Sequence, residues 1–170
     1  MKKTLIAALL FSPIIANAAP TVTNVSPQTK TIVISAPNAF THVLTPVTGL
    51  TAGGVPPAGR EVAMGEVKPV AGGSPARYAV QFATGGNNTS PAAGPSAAIK
   101  GSTNGSNLLT LSLLADNTMG GTTAVESVGG SSWLVYSAAS TSFKYVVNAT
   151  STTINADSYP ITVNAAVYTP

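Results

Sequence analysis

The residues able to do chemistry are few. One histidine, His42, stands between Thr41 and Val43 in an alternating stretch, and the chain has no second histidine and no cysteine to complete a zinc site with it. A lone strand histidine reads as a polar residue on an open face. Glu61 and Glu66 lie five residues apart, so on one regular strand they point to opposite faces. A glycosidase pair of carboxylates would have to form across the fold instead. Gly-Gly pairs at 53–54, 72–73, 85–86, 120–121 and 129–130 lack the lysine and the strand–loop–helix setting of a phosphate cradle. They read as turns with positive φ. The expectation is a protein that is not an enzyme and needs no cofactor or metal.

The aromatic residues Trp133, Tyr136, Phe143 and Tyr145 admit two readings: core packing, or a platform for a sugar or a protein. Trp133 shares its parity with Val135 in "SWLVY", which favours the core.

The elements that would position these residues are short and separated by Gly, Pro and Asn. The stretches "KTIVISA" (30–36), "FTHVLTPV" (40–47), "EVAMGEV" (61–67) and "ARYAVQFAT" (76–84) read as strands. So do "SSWLVYSA" (131–138), "FKYVVNAT" (143–150) and "YPITVNAAVY" (159–168). "NLLTLSLLA" (107–115) is read as a strand with a helix as the alternative, because Leu108, Leu111 and Leu114 also fit helical spacing. "GGNNTSPAAGP" (85–95) reads as a loop, and "MGGTTAVESVGG" (119–130) as a flexible hairpin or insertion. Many short strands with frequent turns predict an all-β sandwich of immunoglobulin-like type.

The first residues read as a secretory signal. Lys2 and Lys3 precede the apolar "TLIAALLFSPIIA", and Ala16-Asn17-Ala18 supplies a small-x-small cleavage pattern. Residues 1–18 are the expected signal peptide, with cleavage after Ala18. Removing them leaves six cations against five carboxylates, a net charge of +1. No basic patch for nucleic acid remains. An exported chain is free to form disulfides, but this one has no cysteine. Its stability must come from its core or from a partner.

The two ends of the mature chain raise the question of that partner. From Tyr159 the residues alternate: Tyr159, Ile161, Val163, Ala165 and Val167 share one face. A strand there needs a neighbour along its free side. The N-terminal stretch "APTVTNVSPQTKTIVISAP" is extended, carries the β-branched run Ile32-Val33-Ile34, and stops at a proline. A detached strand at one end and an unpaired strand at the other are what β-augmentation between subunits needs.

Three stretches carry a family resemblance. "TIVISAPNAF" (31–40), "LTPVTGLTAGG" (44–54) and "INADSYPITVNAAVYTP" (154–170) resemble the Saf pilin family of chaperone–usher fimbrial subunits. The resemblance implies an incomplete immunoglobulin-like sandwich, residues 37–170, that lacks its last strand. It implies a donor extension, residues 19–36, with Val22, Val25, Ile32 and Ile34 as the inserted side chains. Tyr159, Ile161, Val163, Ala165 and Val167 would form one wall of the acceptor groove. The partners it implies are identical or related pilin subunits, a periplasmic chaperone and an outer-membrane usher, with no nucleic acid. The location is the cell surface, as part of a fimbria that contributes to adhesion or aggregation. A monomeric exported binding module and a minor tip subunit are the alternatives, and residues 19–36 speak against the tip subunit.

Overall fold

The computed structural model describes residues 40–55, 59–90 and 92–170. The expected signal peptide and the expected donor residues Val22, Val25, Ile32 and Ile34 lie outside them. Among the described residues there is no helix, and the chain forms two β-sheets and a small ribbon.

The larger sheet has five strands: β1 (Phe40–Pro46), β3 (Arg60–Pro69), β9 (Phe143–Ala149), β6 (Leu108–Ala115) and β5 (Ser96–Lys100), side by side in that order. The smaller sheet holds β11 (Val163–Tyr168), β4 (Arg77–Phe82), β8 (Ser131–Tyr136) and β7 (Thr123–Val128). A two-stranded ribbon pairs β2 (Gly53–Gly54) with β10 (Thr153–Ile154). All these pairings are antiparallel.

Strand alternation builds the core. β9 turns Phe143, Tyr145, Val147 and Ala149 inward, and β6 adds Leu109, Leu111 and Leu113. From the other sheet come Tyr78, Val80 and Phe82 of β4, Leu134 and Tyr136 of β8, and Val163 of β11. Phe143 is the hub, stacked on Tyr136 with centroids 5.3 Å apart. The leucines also decide between the two readings of 107–115. Leu108 and Leu114 are 48% and 47% exposed, while Leu109, Leu111 and Leu113 are buried. That is the period of a strand, and the helix alternative falls.

Three details differ from the sequence reading. A β-bulge interrupts the β3–β9 register between Glu61 and Ala63. Val62 and Ala63 are consequently both buried, and the extra residue resets the parity beyond it. Glu61 faces Asn148 and Glu66 faces Lys144, so both carboxylates are on the outer face rather than on opposite faces. The 119–130 stretch contains a full strand, β7, joined to β8 through Gly129 and Gly130. Their φ values of 61° and 81° are those of a two-residue type I′ hairpin turn. Finally, Leu134 and Tyr136 take the core parity of β8, which leaves Trp133 half-buried outside the core cluster.

The candidate strand-acceptor groove

Each sheet has two edges, and the protein treats them differently. Along β5, residues 87–90 cover the free edge: Thr89 N donates to Ala98 O at 2.8 Å, and Lys100 N to Asn87 O at 2.8 Å. Ala98 N is taken up by the Ser90 hydroxyl at 3.1 Å. β7 carries the charged Glu126 at mid-strand, a common guard of an open edge. On the opposite side of the sandwich, β1 and β11 are the terminal strands of their sheets. The rings of Phe40 on β1 and Tyr78 on β4, the strand beside β11, meet edge to face with centroids 6.3 Å apart. These two edges, uncovered among the described residues, therefore lie on the same side of the sandwich, and an opening lies between β1 and the segment that leads into β11.

That opening is an apolar groove of about 660 Å³. Its floor is core: Val62, Ala63 and Leu109. Leu44 and Pro46 of β1 form one wall, and Tyr159, Pro160 and Ile161 form the other. The loop after β1 and the segment after β10 close one end.

Polar clips hold this frame in shape. The Arg60 guanidinium donates to the carbonyls of Thr51 at 2.9 Å and Gly54 at 2.8 Å, fixing the loop that leads into the ribbon. The Asp157 carboxylate accepts from the backbone N–H of Thr103 at 2.9 Å, Asn104 at 3.0 Å and Ser158 at 2.8 Å. It also accepts from the Asn107 side-chain amide at 3.0 Å. Those bonds, the one from Thr103 foremost, hold its carboxyl well below the usual carboxylate range. Tyr159 folds back so that its hydroxyl donates to Asn155 O at 3.0 Å. Burial and the nearby Asp157 charge both keep that phenol neutral, pushing its pKa up.

All five residues expected on one face of the C-terminal segment point toward the core. Val163 is buried, and Tyr159, Ile161, Ala165 and Val167 are half-buried against it. In register, Val163, Ala165 and Val167 lie opposite Phe82, Val80 and Tyr78 of β4. The ladder is shorter than the alternation suggested. β11 begins only at Val163, and Tyr159 to Thr162 approach it as an irregular segment.

The sequence reading missed the second wall, Leu44 and Pro46, and the two clips at Arg60 and Asp157. The alternation Phe40-His42-Leu44 was the available signal for the wall. It also places His42 differently from expectation, on the inward face rather than the open one. There its Nε2 lies 2.6 Å from the Tyr145 hydroxyl, and burial lowers its pKa. Among the described residues, no three metal-binding side chains cluster.

The family model for Saf-pilin pilus formation proteins matches residues 21–170. The chain belongs to that family. Two solved structures share the fold of this Saf pilin. The crystal structure of the Salmonella SafD adhesin superposes with a TM-score of 0.58 at 17% identity, over 76% of this chain and 88% of that one. The E. coli Hda pilus minor tip subunit HdaB also gives a TM-score of 0.58, at 8% identity, over 76% of this chain and 83% of that one. Both likenesses support an immunoglobulin-like pilus-subunit fold. No curated protein is significantly similar in sequence.

Proposed function

We propose that this Saf pilin is a shaft subunit of a chaperone–usher fimbria and polymerises by donor-strand exchange. The groove between β1 and the segment leading into β11 is the start of the acceptor, and residues 19–36 of a neighbouring subunit are the donor. The observation that carries this reading is one apolar groove walled by β1 and by residues 159–161, which lead into β11, the two sheet edges without a cover among the described residues. The family match begins at residue 21, which supports residues 1–18 as a leader removed before assembly. On this reading residues 37–170 are the pilin domain. A periplasmic chaperone fills the groove first, and an outer-membrane usher passes the subunit to the cell surface. The protein's work is mechanical and adhesive rather than enzymatic.

The energies suit such a joint. Burying four aliphatic donor side chains (Val22, Val25, Ile32 and Ile34) at about 1.5–3 kcal/mol each amounts to about 6–12 kcal/mol. A whole domain's net stability is about 5–15 kcal/mol. An open subunit should therefore be marginal and a filled one resistant to dissociation. The experiment is a thermal melt of residues 37–170, alone and with a synthetic peptide of residues 19–36. A midpoint raised by tens of degrees supports the reading. A stable domain indifferent to the peptide refutes it and leaves a monomeric binding module.

A further inference from the structure

The inward face of β1, the face that gives Leu44 to the groove, carries one polar residue among apolar ones. His42 sits between Phe40 and Leu44 on the inward face, and these two pack on the core. Its hydrogen-bond partner, Tyr145, belongs to β9, with β3 intervening between them. The tyrosine ring spans β3 at Gly65, where any Cβ would collide with it. A buried tyrosine, an absent side chain and a strand histidine thus form one clasp from the middle of the sheet to its free edge. Tyr145 is 1% exposed, and burial raises its pKa, so its hydroxyl stays protonated and shares a hydrogen bond with the neutral imidazole, the tautomer setting which of the two donates.

Among the described residues, no charge of either sign faces His42. The inward residues of β3 beside it are Gly65 and Val67, and those of β9 are Phe143 and Tyr145. Across the sandwich stand Tyr78 of β4 and Val163, Ala165 and Val167 of β11. Glu66, Lys68 and Lys144 occupy the other parity, on the outer face. An imidazolium here has no counter-ion among the described residues on its side of the sheet. The ionisable groups lining the groove do not titrate near neutrality: Asp157 is held low and Tyr159 is held high, as is Tyr78, whose ring meets Phe40 of β1.

We propose that His42 makes filling of this groove pH-sensitive, because a strand seated between β1 and β11 covers the imidazole and excludes its charged form. The inference rests on the donor-strand reading above. Its sign follows from linkage. The open groove leaves His42 part-exposed and able to bind a proton, and the filled groove does not. Insertion is therefore strongest above the open-state pKa, which already lies below the ordinary histidine value. It weakens by up to about tenfold per pH unit below that point, the slope of one proton. The donor adds no competing titration, since Lys30 is its one ionisable side chain.

The test is anisotropy of an end-blocked, fluorophore-labelled peptide of residues 19–36 titrated into the mature chain at pH 8, 7, 6 and 5. The wild type is expected to hold a constant affinity at the upper end and to lose several-fold to tenfold per unit at the lower end. His42→Gln, whose amide can donate to or accept from the Tyr145 hydroxyl without ionising, is expected to bind with no such slope. A pH-independent wild type, or the same slope in His42→Gln, overturns the proposal while leaving the groove intact. A wild type that takes no peptide at any pH overturns the donor-strand reading itself. Should His42→Gln not fold, the single imidazole resonance of the wild type decides by NMR titration. Its apparent pKa must be lower with peptide than without, and equal values refute the proposal.

Discussion

Gly65→Ala should be among the most damaging single-methyl additions in this protein. The new Cβ would overlap the Tyr145 ring and hydroxyl, and Tyr145 is nearly fully buried. Forcing extra volume into a packed core costs about 1–3 kcal/mol. Swinging the ring away also breaks its bond to His42, worth a further ~0.5–1.5 kcal/mol. The expected total is about 2–4 kcal/mol, or a midpoint lower by roughly 10 °C for a domain of this size. The assay is thermal unfolding followed by circular dichroism, run as a double-mutant cycle with Tyr145→Leu. Leucine lacks the outer ring that the Cβ strikes, so Gly65→Ala should cost far less in that background. A coupling of at least about 1 kcal/mol is expected between residues in such contact. Equal costs in both backgrounds would show that Gly65 is glycine for some other reason.

Three further outcomes follow from the same geometry. Leu111→Ala removes a fully buried core side chain and should cost about 2–5 kcal/mol. It should read as a lower urea midpoint with an unchanged m-value. Gly130→Val places a β-branched residue at a φ of +81° in the β7–β8 turn, at a cost of about 1–2 kcal/mol. Hydrogen exchange should show that loss as faster opening of Thr123–Val128. Asp157→Ala strips the acceptor from the amides of Thr103, Asn104 and Ser158, so those amides should exchange faster. The wild-type carboxyl is held low, so its support is fully present above its unfolded pKa of about 3.9 and is lost only as pH falls through the lowered value. Between pH 5 and 8 the wild-type loop should therefore show no pH dependence from this group.

The sandwich was legible because most strands announce their period. β1, β3, β4, β6, β8 and β9 fall inside the stretches expected of them or within a residue or two of their ends. What escaped has identifiable causes. "SAAIK" forms β5 with only two buried side chains, Ala97 and Ile99, too short a pattern to stand out among Ala and Ser. The ribbon strands β2 and β10 hold two residues each, below any periodic signal. The bulge at Glu61/Ala63 inserts one residue that no composition marks, yet it reverses which face every residue before it occupies. Trp133 went to the outer face because Leu134 and Tyr136, one step out of phase, pack against the core.

The groove shows the same division more sharply. Alternation from Tyr159 to Val167 gave the inward face of the C-terminal segment, and the structure turns all five side chains that way, with Tyr159 and Ile161 lining the groove and Val163, Ala165 and Val167 packed on the core beyond it. Alternation states which way a side chain points, however, and not which neighbour its strand lacks. That β1 is the other wall depends on its ending the five-stranded sheet beside β3, a fact of long-range order. The guards show why the distinction matters physically. An unpaired edge invites any extended chain, so a protein that covers β5 with residues 87–90 and charges β7 has closed one side against association. On the donor-strand reading proposed above, leaving β1 and β11 without equivalent covers among the described residues, beside an apolar groove, would direct strand addition to the other side alone. On that argument, introducing a lysine at Leu44 or Ile161 should abolish multimer formation by the mature chain while sparing the fold of the subunit. Both side chains are only half-buried in the open groove, and a long cation there can reach water until a strand covers it. Multimers that survive detergent in either variant would show that the groove is not where subunits join.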